Sequence, residues 1–355
     1  MNLPRNLDAP WCSRARCAAL VSLSMLALAG CGKREEGGQF EPAPGQPGPT
    51  PGQPGLAPGQ PGPAPDRPGE PGRNGSKDQP LVVMLIPSET GSSSVLDDYA
   101  PLFDAITRIH GIHFDLKIGD SYNAVVEGMA AGHVDVAFFG PVTFDEARRR
   151  GAAELLAVEE TKGESVYYAG WYHRADSGMT GLADLKGKAV ALGDPKSASS
   201  FQYPVAMLLA AGIDPARDLG KIIMAGSHSA SLEQLEAGQV AGAAASINAY
   251  DKMVEAGALD GKAVVLLARS EAVPSPPIAM RTGLSDQVEQ ALRKAFGSIH
   301  QAEGVTPEMI LGYGGKKVDR YSVDFDVRVF DEAMKKLAQV TPEVEGEIID
   351  KAGQR

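Results

Sequence analysis

From Leu81 onward the chain alternates short continuous apolar runs with segments of helical spacing. Leu81-Val-Val-Met-Leu-Ile86, ended by Pro87, has the pattern of a strand buried on both faces. Leu96, Tyr99, Leu102, Phe103, Ile106 and Ile109 then fall on one helical stripe, which predicts a helix over 94–110. A second strand is expected at 113–118 and a second helix at 122–131. Val134-Asp-Val-Ala-Phe-Phe139, closed by Gly140-Pro141, reads as a third strand. Helix 143–150 and strand 154–159 follow. This order of strands and helices argues for a parallel sheet covered on both faces.

The pattern then restarts. A strand over 188–192 runs into the loop Gly193-Asp194-Pro195-Lys196, and a helix is expected from about 199 to 211. Strands at 221–225 and 241–246 flank a helix at 230–237. After a strand at 264–269, Pro274-Ser-Pro-Pro277 marks a crossing, and helices dominate from Ser285 onward. The expected fold class is α/β, with two Rossmann-like lobes and a ligand cleft between them, joined by two or three crossing strands. Lobe 1 is expected over 80–175, completed by about 275–355, and lobe 2 over 176–274. A ligand would sit in the cleft, where the carboxyl ends of strands meet helix N-termini.

The first eighty residues have another composition altogether. Thirteen of the 26 prolines fall between Pro42 and Pro80. A seven-residue pattern repeats from Gly45, Gly52 and Gly59 (Gly-Gln-Pro-Gly-x-x-Pro), too irregular in glycine for a collagen helix. Residues 32–79 therefore read as a disordered Pro/Gly-rich tether, at most roughly 150 Å long at about 3.1 Å per residue. Before it, Arg5, Arg14 and Arg16 supply a positive region and Ala18 to Ala29 a short apolar run. That run is about half the roughly 20 residues that span a bilayer. It ends in Leu28-Ala29-Gly30-Cys31, which resembles a bacterial lipoprotein box. The resemblance implies a signal peptide over 1–31, with lipid attached to Cys31 and a membrane as partner through that lipid. Cys12 and Cys17 would leave with the signal, so the mature domain would hold no free thiol.

Charge narrows the partners. The whole chain carries a net −11, and residues 80–355 alone hold 26 basic and 38 acidic side chains, a net of −12. A general nucleic-acid binder needs clustered Lys and Arg, so no nucleic acid is expected as partner.

Four segments make a resemblance specific. They are Asp120-Ser-Tyr-Asn-Ala-Val-Val-Glu-Gly-Met129 with Gly132-His-Val-Asp-Val-Ala-Phe-Phe-Gly-Pro141; Ala183-Asp-Leu-Lys-Gly-Lys188 with Gly193-Asp-Pro-Lys-Ser-Ala-Ser-Ser200; Ala211-Gly-Ile-Asp-Pro215 with Gly226-Ser-His228 and Gly238-Gln-Val240; and Val273-Pro-Ser-Pro-Pro-Ile278. In this order, residues 80–330 resemble the phosphate-, phosphite- and phosphonate-binding proteins of bacterial ABC importers. That family implies a type II periplasmic-binding-protein fold and a periplasmic or cell-surface location. It also implies a small phosphorus oxyanion as ligand, an ABC transporter permease as partner, and neither a cofactor nor a metal. A monomer is expected.

Several residues follow as candidates. Ser197-Ala-Ser-Ser200 opens an apolar helix, and hydroxyls with unpaired N–H groups at a helix start form an anion site that the helix dipole reinforces. N-capping alone would need one serine, and Ser197, Ser199 and Ser200 are present. The resemblance adds Tyr122 as a ligand-facing tyrosine. It also adds His228, which would either donate to the oxyanion or cap the next helix. Pro141 and Thr143 lie at a strand's carboxyl end, and Ser88, Glu89 and Thr90 follow the first strand. Phe144 stands where the family often has Tyr. Aminophosphonate binders of the family carry acidic residues where this chain has Ser229 and Ala241. Their absence favours an unsubstituted or neutral-tailed oxyanion, with Asn248 and Tyr250 as replacement polar contacts.

Enzyme readings find less support. Ser199, His228 and Asp194 can be written as a triad, but no Gly-x-Ser-x-Gly turn is present. His110-Gly-Ile-His113 has metal spacing without an evident third ligand. Gly312-Tyr-Gly-Gly-Lys-Lys317 lacks the spacing of a phosphate-binding loop. The expectation is binding for import, with presentation of the ligand to a sensor kinase as the alternative and an enzyme of phosphorus esters after that.

Overall fold

The structure, a computed structural model, describes residues 72–87 and 92–354. The signal, Cys31 and the tether through residue 71 lie outside the described residues, as do Ser88, Glu89 and Thr90. No helix among the described residues is long and apolar enough to cross a membrane.

β1 (Leu81–Leu85), α1 (Ser92–His110), β2 (Phe114–Ile118), α2 (Tyr122–Ala130), β3 (Val136–Phe138), α3 (Pro141–Arg149) and β4 (Ala153–Glu160) form in the expected order. β1 pairs in parallel with both β2 and β3. The chain then passes through β5 (Val166–Tyr167) into β6 (Ala169–Arg174), which belongs to a second sheet. That sheet is built from β7 (Val190–Leu192), β8 (Ile222–Met224), β9 (Gly242–Ser246) and β10 (Val264–Arg269) as well, in the order β10-β6-β9-β7-β8. Its helices are α4 (Tyr203–Ala210), α5 (Pro215–Asp218), α6 (His228–Glu236) and α7 (Ile247–Glu255). After β11 (Val273–Pro274), which pairs with β5, the chain re-enters the first sheet.

There β12 (Pro277–Arg281) inserts antiparallel between β3 and β4, followed by α8 (Asp286–Ser298) and β13 (Arg320–Ser322). The first sheet thus reads β13-β4-β12-β3-β1-β2. Both sheets are mixed, because each receives a returning strand from a crossing. Trp171, Phe201, Phe139, Phe144 and Phe296 are among the largest fully buried side chains.

Three boundaries differ from the sequence expectation. Strand 169–174 sits in the second sheet, because it pairs with β9 and β10 and not with β4. α9 (Arg328–Lys336) packs Phe330 against Phe144 of α3 at 4.9 Å, but α10 (Pro342–Gly353) crosses back to the second sheet. There the Lys351 ammonium donates to the carbonyls of Ala216 (2.6 Å) and Leu219 (2.5 Å), and Gln202 donates to Glu345 (2.6 Å). Residues 72–79, expected to belong to the tether, are instead held against the first lobe. Gly75 accepts from the His113 N–H at 2.8 Å, and Arg73 pairs with the fully buried Asp135. Asp135 also accepts from the Val82 N–H (2.9 Å) and from Arg281 (3.2 Å), so the buried carboxylate is fully compensated.

Candidate functional site

In each sheet the parallel strands end at helix starts. β2 and β3 lead into α2 and α3; β7, β8 and β9 lead into a π-helical turn (Ala198–Gln202), α6 and α7. Four of these starts are capped by serine. Ser121, Ser197, Ser227 and Ser246 accept from the N–H groups of Ala124, Ser200, Ala230 and Ala249 at 3.0–3.2 Å. The fifth, α3, is capped by Gly140, which supplies no side-chain bond, and opens with Pro141. Donors of two lobes, each carrying the positive end of a helix dipole, are therefore presented at strand carboxyl ends.

The expected helix from Ser199 starts instead as a π-helical turn, with the Gln202 N–H on the Ser197 carbonyl at 3.0 Å. An i→i+5 start leaves five N–H groups without carbonyls inside the helix rather than four. Of the three serines, Ser197 is the cap. Ser199 is 1% exposed. Ser200 is turned against Gly193, where a Cβ would lie 2.1 Å from its hydroxyl, and that buried hydroxyl has no partner among the described residues. Gly193 is thus required for the serine turn to close on the end of β7.

Tyr122 opens α2, is 3% exposed and lies over Gly140, whose added Cβ would stand 3.6 Å from the Tyr122 ring. Thr143 is fully buried and donates to the Gly140 carbonyl at 3.1 Å. Phe144 faces α9, so a hydroxyl there would point into the packing with Phe330. Asn248, also buried, donates through Nδ2 to the Tyr313 carbonyl at 3.1 Å.

His228 is the first residue of α6; Ser227, not the imidazole, caps the helix. Its Nδ1 accepts from the Ser246 N–H at 2.9 Å, so Nδ1 carries no proton. Burial lowers its pKa to about 3, which keeps the ring neutral with its one proton on Nε2. That N–H donates to the Tyr313 hydroxyl at 3.2 Å, and the hydroxyl in turn donates to Ser246 at 3.3 Å. Nothing in the local pattern marks Tyr313 as a site residue. The only signal is a tyrosine set among three glycines, in the segment that fails as a phosphate loop.

The same bonds dispose of the triad. A base needs an acidic partner on Nδ1–H, whereas this Nδ1 is an acceptor, and Asp194 instead accepts from the Lys196 N–H at 2.8 Å. Among the described residues no group of three or more His, Cys, Asp or Glu is placed to hold a metal.

Two further expectations are corrected. Ala241 precedes β9, at the strand's amino end, where its N–H donates to the Ala189 carbonyl. It corresponds in place to Asp135 before β3, so an acidic residue there would serve the sheet and not a ligand. Tyr250 donates to the Val264 carbonyl at 2.8 Å and stacks on Tyr172 at 4.6 Å, within the core of the second lobe. Ser229 remains on the site side, 3.2 Å from the Ser227 hydroxyl.

The lobes are closed on one another. Lys196 pairs with Glu146 of α3 at 2.9 Å, and Lys252 of α7 with Asp98 of α1 at 2.6 Å. Tyr122, Thr143, Ser197, Ser199, Ser200, His228 and Asn248 are all at most 8% exposed. Neutral donors, oriented N–H groups and excluded water suit an anion held without chemistry.

The family model for the periplasmic substrate-binding protein of phosphonate ABC transporters matches residues 83–313. The chain is similar to the phosphate-import protein PhnD of Mycolicibacterium smegmatis, with 31% identity over 227 residues, 61% of this chain and 70% of that one. In fold it is similar to the binding-protein component of an ABC phosphonate transporter from Pseudomonas aeruginosa (TM-score 0.61, 17% identity, 76% of this chain and 98% of that one). It is likewise similar to PhnD1 of Prochlorococcus marinus, solved with methylphosphonate (TM-score 0.62, 15% identity, 73% and 97%). A family match over most of the chain, on a two-lobed fold with helix starts facing a closed cleft, leads to one assignment: the chain belongs to the periplasmic substrate-binding proteins of phosphonate ABC transporters.

Proposed function

We propose that this protein binds a small phosphorus oxyanion between its lobes and delivers it to an ABC permease, held to a membrane by lipid on Cys31. The observation that carries the ligand reading is that serine- and glycine-capped helix starts follow the carboxyl ends of parallel strands in both sheets. The oxyanion would be gripped by Ser199, by N–H groups of the π-helical turn and, from the other lobe, by Tyr122 and the Thr143 N–H at the start of α3, the Thr143 hydroxyl being spent on the Gly140 carbonyl. His228 and Asn248 complete the second lobe's wall, Ser197 shapes the turn as its cap, and Ser200 seats it on Gly193. Ser88, after β1, would add a hydroxyl from the first lobe. Closure is favoured because the ligand contacts both lobes. Among the described residues, the His228 Nδ1 accepts from the Ser246 N–H and Asp194 from the Lys196 N–H, so they form no relay with Ser199, which supports binding over turnover. The family match favours delivery to a transporter over presentation to a sensor kinase.

Ser229 in place of an acidic residue favours phosphate, phosphite or methylphosphonate over 2-aminoethylphosphonate. Calorimetric titration against these four tests the reading. Micromolar or tighter binding of at least one non-amino ligand is expected, weakened about tenfold by Ser199→Ala through loss of a hydrogen bond to a charged group. Binding of none overturns it. For the anchor, Cys31→Ser should move the protein from the membrane to the soluble fraction of cells; retention in the membrane would refute lipidation.

A further inference from the structure

The loop between α8 and β13, within the first lobe, is built around Tyr313 and packs against the second lobe. Gly312 and Lys316 close it with an N–H···O bond of 2.7 Å. A Cβ at Gly312 would lie 2.0 Å from Glu159, and one at Gly314, whose φ is +74°, 2.9 Å from Asn248. The loop therefore needs glycine on both sides of the tyrosine to wedge between the lobes.

Tyr313 spends every polar atom on that position. Its N–H donates to the buried Glu159 carboxyl (2.5 Å) of the first sheet, and its carbonyl accepts from Asn248 of the second lobe. Its ring stands edge-on to Tyr167 at 5.0 Å and against Phe138 at 6.4 Å, and is 2% exposed. Its hydroxyl reaches the N-termini of α6 and α7 at once and takes the single N–H of His228.

We infer that Tyr313 is a specificity-determining residue: its ring walls off the cleft beside His228, limiting ligands to compact tetrahedral oxyanions, and its hydroxyl orients the His228 N–H. This rests on the oxyanion reading above and goes beyond it in naming what sets ligand size. A phosphorus substituent larger than methyl would have to displace a ring that is held at both ends. Backbone bonds to both lobes fix where the residue sits, and the hydroxyl's bonds to His228 and Ser246 with the contacts of Tyr167 and Phe138 fix its rotamer.

The test uses phosphate and the neutral-tailed series methyl-, ethyl- and propylphosphonate, with binding measured by calorimetry. In the unaltered protein affinity should fall by tenfold or more from methyl to propyl. Tyr313→Ala should flatten that series or reverse it. Tyr313→Phe, which keeps the ring, should preserve the ranking, weaken all ligands three- to tenfold, and move the His228 Nε2–H signal in nitrogen-15 NMR spectra. Tyr313→Leu, closer in volume, serves if the alanine variant does not fold, and should relax the series in the same direction. A protein that binds phosphate or methylphosphonate, but whose size ranking is unchanged in both truncations, overturns this inference alone. A protein that binds no member of the series fails the oxyanion reading and this inference together.

Discussion

Glu159 and His228 are buried titratable groups joined through one tyrosine, and their environments act on stability with opposite signs. Burial raises Glu159 to about 7 from an ordinary 4.5, against smaller opposing effects of the Tyr313 N–H, Ser275 and Lys316. The folded state thus holds the proton more tightly, so the stability it contributes is complete below about 4.5 and is lost as pH rises through about 7. His228, lowered to about 3 from 6.5, contributes stability above 6.5 that is lost as pH falls toward 3. Glu159→Gln removes only the first effect. Its melting temperature relative to the parent should therefore climb between pH 4.5 and 7 and be flat outside that window, an effect of about 3 kcal/mol at ~1.4 kcal/mol per pKa unit. Thermal melts across pH 4–8 check it; a constant difference would show that the carboxyl does not titrate in the fold. At this scale the sequence was partly legible. Ser197 and Ser199 could be singled out because a helix start announces its donors, and His228 only through the family resemblance, but whether a serine caps its helix or faces a ligand depends on a rotamer. Tyr313 lies 85 residues from His228 in the chain, a separation no local pattern bridges.

Among the elements, the alternation of apolar runs and helical stripes located β1 to β4 and β7 to β10, because each sheet's buried face imposes a period the chain must follow, and it missed β5, β6, β11, β12 and β13. It could not assign β6 or α10 to a sheet. Ala169-Gly-Trp-Tyr-His-Arg174 is apolar enough for either lobe, and only its pairing with β9 decides. α10 follows α9 after a short connection, yet its partner is the far lobe, where Lys351 satisfies the last carbonyls of the α5 segment. The π-helical turn was hidden for a different reason. Its sequence, Ala198-Ser-Ser-Phe-Gln202, has no signature; the extra residue per turn is accommodated because Gly193 lets Ser200 approach. That turn is the element on which the anion reading leans most, since its widened start exposes one donor more than an α-helix would.

For the whole molecule, closure is the quantity that function depends on, and ion pairs span it, Lys196–Glu146, Lys252–Asp98 and Lys316–Asp251 among them. The Lys196–Glu146 pair is about one-third exposed at each end, which places its worth at about 0.2–1 kcal/mol. Glu146→Gln should then weaken ligand binding by roughly 1.5- to 5-fold at low salt. The deficit should shrink as ionic strength approaches values where charges are screened over about 8 Å. Titration at two salt concentrations reads both; a loss independent of salt would mean that the pair acts through packing and not charge. Net charge of −12 over residues 80–355 does not oppose an anionic ligand, because the donors act at contact inside a closed cleft. The Arg73–Asp135 clamp has a consequence for geography. It holds the chain at the amino ends of β1, β2 and β3, while the site lies past their carboxyl ends. Residue 72 therefore departs from the base of the first lobe, opposite the mouth. Were the chain anchored from that end, as proposed, the helix starts of the first lobe would face away from the anchor, and arrival of solute would not depend on the length of chain before residue 72.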